Sequence, residues 1–311
     1  MTEPSKLPAG AGTIRPGPGP AGHQTGFRRV ALATCALVLC FSRPLFDLMR
    51  FAIQSDLYSH ILLVPVISLY LGWVKRSLLP PPSAPARGIA WALLGAGTFV
   101  LAGYWVEVMA GTKLAPEDSL ALTTLSFVLF IGGICSWLLG RETLRTIAFP
   151  LGFLVFLVPF PVFLEAGIES LLQQGSAAVA FALFRLSGMT VFYHDLVFKL
   201  PTISLRVAPE CSGIHSTLAL FITSLIAGQL FLRTPWKRAT LALAVVPIAL
   251  LRNGLRVFTI GELCVQVSPD MINSYIHRHG GPVFFILSLV PFFILLRLLY
   301  KSDRHSKNAL S

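Results

Sequence analysis

The chain has few charged residues, and most of those it has are basic. Only 13% of its 311 residues are charged, with 14 acidic residues against 25 Lys and Arg, whereas 54% are hydrophobic. A soluble domain usually carries about 25% charged residues, so a water-soluble fold is excluded for most of the chain. The net charge of +11 fits the enrichment of Lys and Arg in cytoplasmic loops of membrane proteins, and we expect no nucleic-acid binding.

The five cysteines form no CxxC pair and no Cys/His spacing typical of a metal site, so we expect neither a metal nor a cofactor. Cys35, Cys40 and Cys135 lie in apolar runs, where cysteine is typically a small core residue. Cys211 and Cys264 lie in more polar surroundings. These two either form an external disulfide or stay free, and a free Cys211 is a candidate nucleophile.

Apolar runs of about 18 residues indicate membrane-spanning helices. The sequence therefore predicts an all-α polytopic membrane protein with about eight transmembrane helices. Residues 1–27 are expected to form a disordered cytoplasmic tail, 28–301 the membrane domain and 302–311 a basic cytoplasmic tail. The expected spans are residues 29–46, 59–74, 88–110, 118–139, 145–164, 212–232, 239–259 and 281–300.

Two segments between the fifth and sixth spans differ from the rest. Residues 165–189 are helical in character but polar on one side, with Glu165, Glu169 and Gln173 at every fourth position. This pattern predicts a helix that lies in the membrane interface or lines a cavity. Residues 190–208 come close to alternating apolar and polar side chains, which predicts a small external β-hairpin with its turn at Asp195.

The distribution of charge predicts the orientation. With 1–27 inside, the inner loops hold most of the Lys and Arg, and the outer loops hold most of the acids. This holds only if 165–189 does not cross the membrane. The expected location is the inner membrane, with several passes.

Under this topology three polar blocks meet at the outer face: residues 208–216, 251–257 and 276–281. In a nucleophilic mechanism Cys211 attacks a carbonyl, Arg256 holds the oxyanion, and His277 or His279 transfers protons.

Further candidates support this set or have structural roles. His215 follows Cys211 by one helical turn and either orients or replaces the favoured histidine. Arg252 lies one turn before Arg256 and either takes part or reaches lipid phosphates. Glu210 precedes the cysteine, and His60 either lines the same cavity or makes a structural hydrogen bond.

The runs SLRVAPECSGIHS, PIALLRNGLRV and HRHGGPVFF, with the earlier DLYSHILLVPVISLYLGW, resemble the exosortase/archaeosortase family over about residues 30–300. The resemblance implies a membrane-embedded, sortase-like cysteine transpeptidase. Such an enzyme removes a C-terminal sorting tail from secreted proteins and passes them to a surface acceptor. In bacteria that tail has a Pro-Glu-Pro-type motif, a transmembrane helix and a basic end.

The same resemblance assigns the roles within the site. Cys211 matches the nucleophile, Arg256 the arginine of the NxLR block, and His277 the histidine, with His279 as second choice. The site would face the periplasm. The rival interpretations are a transporter and a non-catalytic scaffold in surface polysaccharide or protein export, and no clear internal repeat favours the first of these.

Overall fold

The computed structural model describes residues 21–80, 84–207, 212–268, 270–271 and 281–308. The chain divides into two compact units, residues 1–159 (unit 1) and residues 160–311 (unit 2).

The described part of unit 1 is helical, and short 3₁₀ turns connect some of its helices. The helices are α1 (Ala21–Cys40), α2 (Ser42–Gln54), α3 (Val64–Val74), α4 (Arg87–Met109), α5 (Pro116–Leu138) and α6 (Arg141–Phe153). The 3₁₀ turns are Ser59–Leu62, Arg76–Leu78 and Leu154–Leu157.

Small residues bring α4 and α5 into close contact. An added Cβ at Gly133 would lie 2.6 Å from Leu94 Cγ, and one at Gly97 would lie 3.2 Å from the ring of Phe130. Ser126 Oγ also donates a hydrogen bond of 2.7 Å to the carbonyl of Gly97. Small residues and interhelical hydrogen bonds are the typical means of packing helices in lipid.

Unit 2 combines helices with a small sheet. Its elements are α7 (Val162–Leu186), β1 (Phe192–His194), β2 (Val197–Lys199), β3 (Ser204–Arg206), α8 (Ile214–Phe231), α9 (Pro235–Leu243), α10 (Val245–Gln266) and α11 (Gly281–Asn308).

The sheet confirms the predicted hairpin and extends it by one strand. The order is β1-β2-β3 with antiparallel pairing, and Phe198 lies opposite both Tyr193 and Leu205. The turn lies at Asp195 and Leu196, which both have positive φ (47° and 62°). Two consecutive positive φ values are the signature of the tight hairpin turn whose twist matches the strands.

The sheet packs on α7 and α10 through one apolar cluster. Its fully buried members include Phe184 of α7, Phe198 of β2 and Val207 just after β3, with Cys264 of α10. Cys264 is therefore surrounded by apolar side chains, and the polar surroundings expected from the sequence were wrong. The glycines of α10 allow α7 to approach, because a Cβ at Gly254 would overlap Val179 of α7.

Helix α11 is tied to α9 by a buried ion pair. Lys237 Nζ lies 3.1 Å from Asp303 Oδ1, and the two side chains are 6% and 8% exposed. Asp303 Oδ2 also accepts a hydrogen bond of 2.7 Å from the backbone N–H of Arg233, just before α9 begins. The carboxylate thus satisfies a donor near the helix start and neutralises a buried cation.

The described residues contain five helices that are long and apolar enough to cross a membrane, or up to seven if each of two bent pairs is one span. The five are α4, α5, α8, the α9–α10 stretch and Gly281–Arg304 of α11. In the first bent pair α1 and α2 meet at 76°, and the second joins the helical stretch 141–157 to α7.

The expected count of eight is not reached, because three of the expected spans are bent, short or interrupted. The span expected at 29–46 contains the 76° bend between α1 and α2. The span expected at 59–74 contains only the 11 helical residues of α3, about 16 Å of helix against a hydrocarbon core of about 30 Å. The span expected at 145–164 is interrupted, because α6 passes into a 3₁₀ turn and α7 begins only after Pro161. Proline lacks the N–H needed to continue a helix.

Candidate active site

The start of α8 is a tight turn whose backbone is held by side chains from α10. Gly213 caps the helix in the left-handed conformation, with φ of +72°. A Cβ at this position would lie 2.8 Å from Arg252 Nη2 and 3.3 Å from Asn253 Oδ1. Glycine is required here both by the backbone angle and by the closeness of α10.

Asn253 is the centre of a buried hydrogen-bond network that joins three elements. Its Nδ2 group donates to Ser176 Oγ on α7 at 3.1 Å and to the carbonyl of Ser212 at 3.2 Å. Asn253 is 2% exposed, Ser212 1% and Ser176 not exposed at all. Because hydrogen bonds in a low-dielectric interior are strong and costly to lose, this network fixes the backbone at residue 212.

Arg252 lies one residue earlier on α10 and is also buried. Its Nη2 donates to the carbonyl of Gly213 at 3.2 Å and to Thr217 Oγ1 at 3.3 Å. Its Nη1 is buried and has no hydrogen-bond partner among the residues that the structure describes. Arg252 therefore holds the start of α8 with one amino group and keeps a donor available on the other.

Arg256 follows one turn later, half-buried, where α10 faces the sheet. It lines a cavity of about 20 Å³ together with Asn253, the end of β3 and Val207 just after that strand. A space of this size holds about one water molecule. The Val207 carbonyl accepts a hydrogen bond from Gln173 Nε2 of α7, so the chain is anchored at this point as well.

Four of the predicted site residues, Glu210, Cys211, His277 and His279, lie outside the described residues. The residues on either side of the 208–211 segment are described: Val207 and Ser212 are both 1% exposed.

The remaining candidates have distinct settings. His215 lies on the first turn of α8 with an exposed side chain. His60 belongs to unit 1, in the 3₁₀ turn Ser59–Leu62, and its Nδ1 is 3.0 Å from the carbonyl of Leu57. A ring N–H donating to that carbonyl is the structural hydrogen bond that the sequence left as an alternative.

Sequence reasoning assigned no role to Asn253 or Ser176. A signal for both was present, because a polar side chain within a span is expensive unless it has a partner. Asn253 lies three residues before Arg256 inside an apolar run, and Ser176 continues the polar face of Glu165, Glu169 and Gln173 at the next helical step. Their pairing depends on the contact of α7 with α10, which no pattern in one sequence reveals.

The model of the transmembrane exosortase family matches residues 50–294. The chain belongs to the transmembrane exosortase family. This match confirms the resemblance expected from the sequence, and with the apolar helices it indicates a multi-pass membrane protein of a family of membrane cysteine transpeptidases. No curated protein matches the chain, and no solved structure matches it.

Proposed function

We propose that this exosortase is a membrane cysteine transpeptidase in which Cys211 is the nucleophile, Arg256 the oxyanion donor and His277 the proton carrier. Its substrate is the C-terminal sorting tail of secreted proteins, and the cleaved protein passes to a surface acceptor. The observation that carries the proposal is the anchoring of both ends of the 208–211 segment beside Arg256.

The anchoring limits where the thiol can be. Residue 211 is joined by one peptide bond to Ser212, and consecutive Cα atoms are about 3.8 Å apart. The carbonyl of Ser212 is held 3.2 Å from Asn253 Nδ2, and Arg256 follows Asn253 by about one turn of α10. At the other end, Val207 lines the same cavity as Arg256. A thiol and a guanidinium within reach of each other are what the chemistry requires.

The local electrostatics favour a thiolate at this position. Residue 211 lies two residues before the Gly213 cap of α8, an 18-residue helix whose N-terminus carries positive potential. Arg252 and Arg256 add two cations on the neighbouring helix. Cations and helix N-termini both stabilise the ionised form of cysteine, which is the reactive form.

In the proposed first half-reaction the Cys211 thiolate attacks the carbonyl carbon of the scissile peptide bond, and a C–S bond forms. The negative charge moves to the carbonyl oxygen, where Arg256 holds it, with the available Nη1 of Arg252 as a second donor. The intermediate then breaks its C–N bond, and His277 gives a proton to the leaving amine. The product is a thioester on Cys211 and a released tail.

In the second half-reaction an acceptor amine or water attacks the thioester carbonyl while His277 removes its proton. The C–S bond breaks, and the Cys211 thiolate is restored. We place this chemistry at the outer face of the inner membrane, because the distribution of Lys and Arg favours that orientation. The tail of such a substrate is itself a membrane helix, so a site at the rim of a helical bundle suits it.

The test is the processing of a secreted substrate with a tail, followed by gel mobility in cells that produce the full chain. We expect Cys211→Ala and Cys211→Ser to abolish tail removal at normal protein level. Cys35→Ser, which alters an exposed cysteine on α1, should process normally. Cleavage that persists in both Cys211 variants would exclude the enzyme and favour a transporter or scaffold.

A second pair of variants separates the two histidines. Loss of processing in His277→Ala with retention in His279→Ala supports the assignment made here. The reverse result moves the role to His279, and processing by both variants would contradict a histidine from this block.

A further inference from the structure

A cavity of about 640 Å³ opens in unit 1 at the bend between α1 and α2. It is lined by the bend itself from Cys40 to Asp47, by the last turns of α4 and by the first turns of α5. Its volume lies within the range of about 300–1,000 Å³ typical of small-molecule sites. Nothing in the proposed transpeptidase chemistry uses it.

Two side chains of opposite charge face this cavity and do not form an ion pair with each other. Arg43 and Asp47 lie one turn apart on α2 and both line the space. Neither makes a hydrogen bond or an ion pair with another residue in the described part of the chain. Residues at this spacing can form an ion pair along a helix, but Arg43 and Asp47 do not. The cavity therefore offers one cationic and one anionic group to a ligand.

The aromatic residues of the lining suit the cationic part of such a ligand. Tyr104 and Trp105 meet edge to face, with ring centroids 5.8 Å apart, and both line the cavity. Aromatic faces attract ammonium groups. Tyr104 lies five residues before the end of α4, about 7.5 Å along the helix axis. Tyr and Trp are enriched near the ends of membrane-spanning helices, at the membrane interface.

Helix α2 shows where the apolar part of the ligand would lie. One face is buried against the unit through Leu48 and Ala52. A second face carries the charges, and a third exposes large apolar side chains, namely Phe46 (63% exposed), Met49 (49%) and Ile53 (70%). A helix with a charged face and an exposed apolar face lies in the interface with acyl chains against the apolar face.

We propose that this cavity binds the head group of a zwitterionic phospholipid such as phosphatidylethanolamine. Arg43 holds the phosphate, Asp47 and the rings of Tyr104 and Trp105 hold the ammonium group, and the acyl chains run along the exposed apolar face of α2. An anionic head group fits less well, because Asp47 would face a ligand without a cation. The proposal does not depend on the role of Cys211.

Native mass spectrometry of the full chain tests the proposal, with titration by phosphatidylethanolamine and phosphatidylglycerol of the same acyl chains. We expect the unmodified protein to bind phosphatidylethanolamine about fivefold more tightly than phosphatidylglycerol. Arg43→Gln should weaken both lipids, and Asp47→Asn should abolish the preference. Arg87→Gln removes an exposed cation at the start of α4, a helix end that does not line the cavity, and it should bind as the unmodified protein does.

Equal affinity for the two lipids, or unchanged binding in both cavity variants, would overturn the proposal. A further arm uses soluble glycerophosphoethanolamine, which lacks acyl chains. It should not displace the lipid, and displacement at similar concentrations would identify a site for a free solute instead. Tyr104→Leu keeps the apolar lining but removes the ring, so a selective loss of phosphatidylethanolamine tests the same assignment if Arg43→Gln fails to fold.

Discussion

In unit 2 the polar side chains of Asn253, Lys237 and Asp303 are buried and bonded, whereas in unit 1 Arg43 and Asp47 line a cavity without partners among the described residues. Burying a polar group costs free energy unless its hydrogen bonds are complete. The bonded side chains of unit 2 therefore favour one backbone conformation. The arrangement in unit 1 is open to a ligand. The comparison indicates that bonds hold the polar side chains of unit 2 in fixed positions, whereas Arg43 and Asp47 of unit 1 remain able to bind a ligand.

The largest effect is expected at the ion pair between α9 and α11. Asp303→Ala removes the carboxylate that Lys237 Nζ and the backbone N–H of Arg233 both bond, and each hydrogen bond to a charged group contributes about 1.5–3 kcal/mol. The measurement is the free energy of unfolding in mixed micelles. Asp270→Ala, which removes an exposed carboxylate, should change it by no more than about 0.5 kcal/mol. Similar losses in both variants would contradict the contrast between buried and exposed charge.

Asn253→Ala tests the network at the start of α8. The change leaves Ser176 Oγ and the Ser212 carbonyl without their shared donor, at a cost of about 1–3 kcal/mol. We also expect tail processing per folded molecule to fall, because the backbone beside Cys211 loses its anchor. Thr259→Ala is the control, since within the described part of the chain that hydroxyl bonds only inside α10. Normal processing by a folded Asn253→Ala variant would show that the reaction does not need this network to hold the backbone at Ser212.

Two glycines of unit 2 with similar φ values test how tightly α10 holds the start of α8. Gly188 has φ of +78° and open space around it, whereas Gly213 has φ of +72° and Arg252 beside it. Alanine at either position carries the left-handed penalty of about 1–2 kcal/mol. Gly213→Ala must also displace Arg252, so we expect it to lose about 1 kcal/mol more than Gly188→Ala. Equal losses would mean that the turn is not held tightly by α10.

The smallest effect is expected in unit 1. Arg43 is exposed and makes no bond to a described residue, so Arg43→Gln should change the free energy of unfolding by no more than about 0.5 kcal/mol in lipid-free detergent. A clear gain in stability on adding phosphatidylethanolamine should appear in the unmodified protein and be reduced in this variant. A large loss of stability without lipid would mean that Arg43 is part of the packing.

Sequence alone predicted the family, the membrane character and the small sheet with its turn at Asp195, because each has a local signature. It placed Arg252 and Arg256 together on one helix by simple spacing. It did not predict the break at Pro159 and Pro161 correctly, since the run from 145 to 164 remains apolar through both prolines. The pairing of Asn253 with Ser176 was also out of reach, because it arises from contact between helices separated by the sheet and α8.

The claim on which the proposed function rests is that Cys211 forms a thioester with the cleaved protein. Mass spectrometry of the peptide that contains Cys211, taken from the full chain incubated in liposomes with a tailed substrate, tests it directly. We predict a substrate adduct on Cys211 that hydroxylamine removes and that accumulates when no acceptor amine is supplied. Tail cleavage at a normal rate with no adduct on this cysteine would contradict the account.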